Sequence, residues 1–311
     1  MGIADFRLDI DPASRAEERK KLEVIARRYR ESSTFKELMS GHVRQNTKPE
    51  LVELELDYEL RWGERGKEVE ERIETLLRRA GRQQNHETYL DVGCGKGAML
   101  GTLASRYGSV VGLDYTLRYL VFAKKLLEEI GATNVQVVCG SAENLPFAEG
   151  AFDAISALDV IEHIPDQERG LQEMSRVLSP SGFLYLNSPN RFNIFTPEDH
   201  VRIWGVGFVP RKFMQSYINL FSNHSYGGVR LLSLFELRSY LTKLGGTFVI
   251  EGLMLGNRTG DSLLRRMLAK NGFIIWLANR LMKALVPSHN ALYWNGTNGS
   301  FRPGAGGVVG K

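Results

Sequence analysis

Cysteine is almost missing from this chain. Two occur among 311 residues, Cys94 and Cys139, and neither belongs to a spaced metal or redox motif. That scarcity excludes a disulfide scaffold or a cysteine-ligated zinc module and suits a reducing compartment. Charge of one sign is also in short supply: 40 Lys and Arg face 36 Asp and Glu, a net charge of +4. The pI of about 9.0 leans toward anionic partners, but the basic residues are scattered, which speaks against a dedicated nucleic-acid binder. No uncharged apolar run approaches the ~18–20 residues that span a bilayer. The opening MGIADFRLDIDP is acidic and interrupted by Pro12, so it offers no secretory core. A cytoplasmic protein is expected. No His/Asp/Glu cluster shows metal-ligand spacing, and no metal requirement is expected.

What is present is ordinary globular composition, 43% hydrophobic and 24% charged, with enough apolar side chains for a sizeable core. Residues 14–80 carry Leu, Val and Ile at helical spacing. They predict a helical N-terminal extension over 1–86, broken near Gly41 and Pro49 and closed by Gly81. From Tyr89 the texture changes to short apolar runs alternating with amphipathic helices. TYLDV, SVVGLD, VQVVCG, FDAISAL and FLYLNS read as strands, and TFVIEGLML and NALYW complete a set of seven. Right-handed crossovers then give a doubly wound, mostly parallel α/β sheet. Its core spans 87–190 and 233–295. Residues 191–232, rich in Asn, Pro, Gly and aromatics, read as an inserted substrate cap. Residues 261–286 read as a basic amphipathic helical insertion, and the Gly-rich 296–311 as a flexible tail.

The sharpest motif is LDVGCGKGAML, residues 90–100, between a strand and a helix. Glycines there let the backbone turn tightly and approach a ligand. Gly93, Gly95 and Ala98 also satisfy the dinucleotide pattern G-x-G-x-x-A. Asp114 ends the second strand about twenty residues on, where a carboxylate takes ribose hydroxyls; it is equally placed to cap the next helix. These features point to an adenosine ligand without choosing the cofactor.

The choice rests on residues 139–166, CGSAENLPFAEGAFDAISALDVIEHIPD, and on EMSRVLSPSGFLYLNSPN after them. This stretch resembles the class I S-adenosylmethionine-dependent methyltransferases, especially the branch that includes quinone-biosynthesis methyltransferases. The resemblance runs over 88–190, about a third of the chain. It implies a Rossmann-like methyltransferase fold with S-adenosyl-L-methionine as cofactor. Carried over position by position, Asp91, Gly93, Gly95 and Gly97 flank the methionine part and Asp114 holds the ribose. Ser141, Ala142 and Glu143 lie beside the adenine, and Leu158 and Asp159 border the cofactor at the fourth strand end. The family commonly has Asp where Ser141 stands, so the adenine amino group would meet an uncharged acceptor.

A sulfonium is already an activated donor. Positioning supplies about 7–11 kcal/mol, whereas a general base supplies roughly 3–5. Two histidines are candidate bases. His163, in DVIEHIPD, follows the fourth strand on the cofactor side, where it either deprotonates a hydroxyl or bonds local backbone. His200, beside Asp199 and Arg202 in the cap, is either half of a carboxylate–histidine pair or part of a solvated loop cluster. The aromatics Phe192, Phe195, Trp204, Phe208, Phe213 and Tyr217 form the small core of the cap or a pocket wall. Tyr58 and Trp62 either close the pocket from the N-terminal side or pack between helices. The segment 261–286 suits the surface of an anionic membrane or packs on the sheet with a solvated basic face. The expected enzyme methylates a hydroxyl of a small-molecule or lipid-linked acceptor (a quinol, a natural product or a glycan) in the cytoplasm or at the membrane's inner face. The fifth strand ends in Asn187-Ser188-Pro189-Asn190, which suits a hydroxyl rather than an extruded base. The alternatives are an NAD or nucleotide-sugar oxidoreductase on the same turn, or a non-catalytic cofactor-binding protein.

Overall fold

The strands form where β-branched and aromatic residues alternate between two buried faces. Tyr89, Val110, Ala154, Phe183 and Leu292 pack to one side of the sheet, while Leu90, Leu113, Ile155, Leu184 and Ala291 pack to the other. The computed structural model describes residues 2–7, 12–82, 87–251, 285–286, 288–295 and 308–310. The basic segment 261–286, all but its last two residues, lies outside the described residues, as does most of the 296–311 tail. No helix among the described residues is long and apolar enough to cross a membrane.

The seven expected strands are β2 (Thr88–Val92), β3 (Ser109–Asp114), β4 (Val135–Cys139), β5 (Phe152–Leu158), β6 (Leu178–Pro189), β7 (Thr247–Glu251) and β8 (Ser288–Trp294). Two short edge strands unread in the sequence, β1 (Ala4–Asp5) and β9 (Val308–Gly310), bring the sheet to nine. The order is β1-β4-β3-β2-β5-β6-β8-β7-β9. Strands β2 to β6 pair in parallel, and β8 runs antiparallel between β6 and β7. Chain order therefore reverses at the β2/β5 boundary, and the crevice outside those two strand ends is where open α/β sheets bind ligands. The turn Ser179–Gly182 loops out of the ladder: Phe152 faces Leu178, and Ala154 already faces Phe183.

Helices α5 (Ala98–Leu103), α6 (Leu117–Glu129) and α4 (Trp62–Arg79) cover one face, with α7 (Gln167–Val177) and α9 (Leu234–Lys243) on the other. Local chemistry sets their starts. Asp166 accepts from the Arg169 N–H at 3.0 Å, and Ser233 with Glu236 makes a reciprocal capping box, each worth about 1 kcal/mol.

The N-terminal extension comprises α1 (Pro12–Glu31), α2 (Phe35–Asn46), α3 (Val52–Leu60) and α4. Helix α2 runs straight through Gly41, against expectation; it starts at a Thr34–Glu37 capping box and ends at Asn46, so the expected break before Pro49 is present. The extension has its own core: Phe35, Leu38, Met39 and Val43 pack on Val121, Phe122 and Leu126 of α6. Arg7, 6% exposed, ties this layer down by ion pairs to Asp5 and Glu18. Glu18 in turn accepts from the Leu117 N–H at 3.0 Å and caps α6 from outside.

Between β6 and α9, residues 191–232 fold over short turns and α8 (Met214–Ile218). Their core is mainly aliphatic: Val201, Val206, Met214 and Ile218, with Tyr226. Of the aromatics expected there, Tyr217 packs against this core, whereas Trp204, Phe208 and Phe213 are each more than half exposed. Gly207 is the seam of this unit. A Cβ on it would sit 1.5 Å from the Arg191 carbonyl oxygen, so only glycine admits the crossing.

Candidate functional site

Strand β2 ends in a turn built from left-handed backbone. Gly93, Gly95 and Gly97 have φ of +73°, +53° and +91°, where a Cβ is strained. The Gly93 and Cys94 N–H groups bond the Leu113 carbonyl at 2.7 and 3.0 Å, folding the turn against the end of β3. Asp114 completes the knot. Its Oδ2 accepts from the Gly95 N–H at 2.9 Å and its Oδ1 from the Thr116 N–H at 2.7 Å. The carboxylate thus ties the glycine turn to the backbone N–H of Thr116, the residue that itself holds the N-cap position of α6. Burial raises its carboxyl above the usual range, opposed by the Thr116 and Gly95 bonds. Each oxygen keeps acceptor capacity for a sugar hydroxyl.

Asp91 stands one layer deeper, 3% exposed, accepting from the Ser156 hydroxyl at 2.6 Å. Burial pushes its carboxyl up to about 7, against the Ser156 bond. Asp91, Gly93, Gly95, Leu158 and Asp159 all line one cavity of about 620 Å³, within the range of small-molecule sites. Ser141, Ala142 and Glu143 follow β4 and do not line it. They stand beyond Asp114, joined to it through the Gly140 N–H and the Asp114 carbonyl at 3.1 Å. Ser141 Oγ is already engaged, accepting from the Glu143 N–H at 3.2 Å. Glu143 accepts from the Asp166 N–H at 2.7 Å.

The far wall of the cavity comes from the N-terminal extension. Tyr58, Glu59, Arg65, Val69 and Arg72 line it, and Glu59 pairs with Lys96 of the glycine turn at 2.5 Å, both side chains mostly buried. Tyr58 is therefore a wall residue, its ring under the Arg65 guanidinium at 3.8 Å. Trp62 is a packing residue set against Gly101. Helical spacing flagged the extension but not its partner. Lys96 and Glu59 carry no motif that would have paired them.

Beyond the end of β5 lies the turn Ile161–His163. His163 Nε2 lies 3.3 Å from His200 Nε2, so the fold brings together the two histidines that the sequence leaves 37 positions apart. The carboxylate on His200 is Glu198, not its neighbour Asp199. Glu198 Oε1 sits 2.5 Å from His200 Nδ1, and Oε2 accepts from the backbone N–H groups of His200 and Val201 at 2.9 Å each. The Glu198 bond raises the His200 pKa. Burial, and then the charge on His200, lower that of His163. Glu162, which sequence reading passed over, is 1% exposed. One carboxylate oxygen of Glu162 and one ring nitrogen of each histidine lie within 4.8 Å of one another. The expectation that no metal-type cluster exists is thereby corrected: spacing along the chain misses this group because a cap residue supplies its third member.

A doubly wound sheet with a glycine turn, a strand-end carboxylate and a cavity at its switch point defines a nucleoside-cofactor enzyme of the α/β class. Residues 90–186 match the family described as Methyltransferase domain. Over 103 residues the chain is 34% identical to a ubiquinone biosynthesis O-methyltransferase of Leptothrix cholodnii, covering 33% of this chain and 44% of that protein. Over 202 residues it is 26% identical to an O-methyltransferase of Pyrenophora dematioidea, covering 62% of this chain and 74% of that one. Among solved structures, phosphoethanolamine N-methyltransferase 2 of Haemonchus contortus in complex with S-adenosyl-L-methionine is 17% identical, with a TM-score of 0.47, covering 72% of this chain and 52% of that chain. The chain spans less than half the length of the first curated relatives it matches. Residues 90–186 are a class I methyltransferase domain, of the kind whose cofactor is S-adenosyl-L-methionine. The family match favours this reading over a dinucleotide oxidoreductase.

Proposed function

We propose that this chain transfers the methyl group of S-adenosyl-L-methionine to a hydroxyl oxygen of a small or lipid-linked acceptor such as a quinol, a natural product or a glycan. One observation carries the reading: Leu158 and Asp159 line the cofactor cavity, and the next turn of the same chain presents His163 against His200. In this reading the methionine end lies over Gly93 to Gly97 beside Asp91, and Asp114 takes the ribose hydroxyls. The acceptor approaches from the cap. Its oxygen forms the new O–CH3 bond as the S–CH3 bond breaks. The bonding pair stays on sulfur as S-adenosylhomocysteine, and the hydroxyl proton departs at the histidine pair. Because burial holds His163 below its ordinary pKa, it is neutral near pH 7. Positioning remains the larger contribution.

The test has two parts. Calorimetric titration of S-adenosylhomocysteine and NAD should show binding of the first only; NAD binding without S-adenosylhomocysteine binding would sink the reading. Deuterated S-adenosylmethionine should then label members of a quinol, phenol and sugar panel. Label appearing only in tRNA or DNA would contradict the hydroxyl assignment.

A further inference from the structure

Glu162, His163 and His200 are more than neighbours. Two zinc–nitrogen bonds of about 2.0–2.1 Å at a tetrahedral angle put the nitrogens about 3.3–3.4 Å apart; here His163 Nε2 and His200 Nε2 are 3.3 Å apart. Imidazole orientation in metal sites is set from behind, by a carboxylate on the other ring nitrogen. Glu198 does this for His200, and is itself held by two backbone N–H groups.

The third member supplies an independent sign. Glu162 is 1% exposed. Its Oε2 accepts from the Ser188 hydroxyl at 3.4 Å, while Oε1 has no hydrogen-bond partner among the described residues. A buried carboxylate oxygen left unpaired is costly unless a cation or donor completes it. Backbone strain brackets the same place. The described non-glycine residues with positive φ are Asp159, at +53°, just before this turn, and Arg202, at +58°, just after His200. Strain of this sort gathers where a site is held in position.

We propose that Glu162, His163 and His200 bind a divalent transition-metal ion of the zinc class, leaving a fourth position for the acceptor's hydroxyl oxygen. Two imidazoles with one carboxylate select zinc, manganese or iron over magnesium and calcium, which favour all-oxygen sets. The binding itself stands on the geometry; the acceptor role rests on the methyl-transfer reading above. With the ion bound, both histidines serve as ligands rather than as bases: the ion withdraws charge from the bound hydroxyl, its proton passes to water, and the resulting oxygen anion takes the methyl group. Both histidines are partly open to solvent, which gives the ion a path of entry, and Glu162 closes the site from within.

The test is calorimetric titration of zinc chloride into the full chain after dialysis against a chelator, with magnesium chloride as a second arm. One zinc per chain is expected, with no comparable heat from magnesium. His163→Ala and His200→Ala should each weaken zinc binding at least about 100-fold. Glu198→Gln, which touches the ion only through His200, should weaken it about 10–100-fold. S-adenosylhomocysteine affinity, measured on the same samples, should not change and reports that the variants are folded. Absence of stoichiometric zinc binding by the unaltered chain, or equal binding by the histidine variants, overturns the proposal. If S-adenosylhomocysteine binds and zinc does not, only this inference falls. If zinc binds and S-adenosylhomocysteine does not, the methyl-transfer reading falls and the metal site stands.

Discussion

Replacing Asp114 with alanine tests the arrangement on which the cofactor site depends. The carboxylate is 9% exposed and accepts two backbone N–H bonds, from Gly95 at 2.9 Å and from Thr116 at 2.7 Å. Hydrogen bonds to a charged group contribute about 1.5–3 kcal/mol each. Two such bonds to ribose hydroxyls amount to roughly 3–6 kcal/mol, and each ~1.4 kcal/mol is a factor of ten in affinity. Asp114→Ala should therefore weaken S-adenosylhomocysteine binding by about 10²–10⁴-fold. The same change strands the Gly95 and Thr116 donors, lowering stability by about 1–3 kcal/mol. Asp114→Asn keeps the shape and one acceptor, so its affinity should fall between the two. The assay is calorimetric titration at pH 7.5 beside urea denaturation followed by circular dichroism. A folded Asp114→Ala variant that binds within about threefold of the unaltered chain would show that the sugar is held elsewhere.

Four further outcomes follow from single contacts. Gly93→Ala puts a methyl at φ +73° and 2.1 Å from Val160. Strain and overpacking together should cost about 2–5 kcal/mol in urea unfolding, and an unchanged midpoint would refute the tight turn. Gly207→Ala drives a methyl into the Arg191 carbonyl; it should disorder the cap, abolishing acceptor turnover while S-adenosylhomocysteine still binds, and loss of both would show that the cap and the sheet unfold together. Asp91 titrates near 7 when folded and near 3.9 when unfolded, so the native state holds more protons between about pH 4 and 7 and stability falls as pH rises through that window. Asp91→Asn removes that cost: it should be the more stable form at pH 8, by at most ~4 kcal/mol, with the advantage shrinking toward pH 4, while cofactor affinity drops. Equal denaturation midpoints at pH 5 and pH 8 would contradict the burial argument. Finally, His163→Ala removes a base or, with a metal bound, a ligand, and should slow methyl transfer about 10²–10⁴-fold at saturating cofactor without changing cofactor affinity; an unaltered rate would leave positioning as the sole contribution.

What could be read in advance was whatever the chain encodes over a few residues. Short apolar runs such as TYLDV and FDAISAL mark strands because both sheet faces are buried, and Gly93, Gly95 and Gly97 mark a turn because only glycine accepts their φ without strain. Asp114 followed from its spacing after that turn. Errors arose where local cues meet a distant partner. Gly41 looked like a helix break, but Leu38, Met39 and Val43 on either side of it pack on α6 and the helix continues. The cap aromatics were equally compatible with a core or a wall; Val201, Val206, Met214 and Ile218 fill the core, with Tyr217 packed against it.

The amino-acid order alone determined the layered α/β sheet, the glycine turn and the strand-end carboxylate, since periodicity, glycine placement and short spacings are properties of adjacent residues. Only the tertiary structure decided that His163 meets His200, that Glu198 rather than Asp199 orients it, that Glu162 lies buried beside both, and that Glu59 clamps Lys96 over the cavity. Those contacts join elements whose relative positions depend on the paths of intervening loops and on the packing of whole helices. No local pattern in the chain records either.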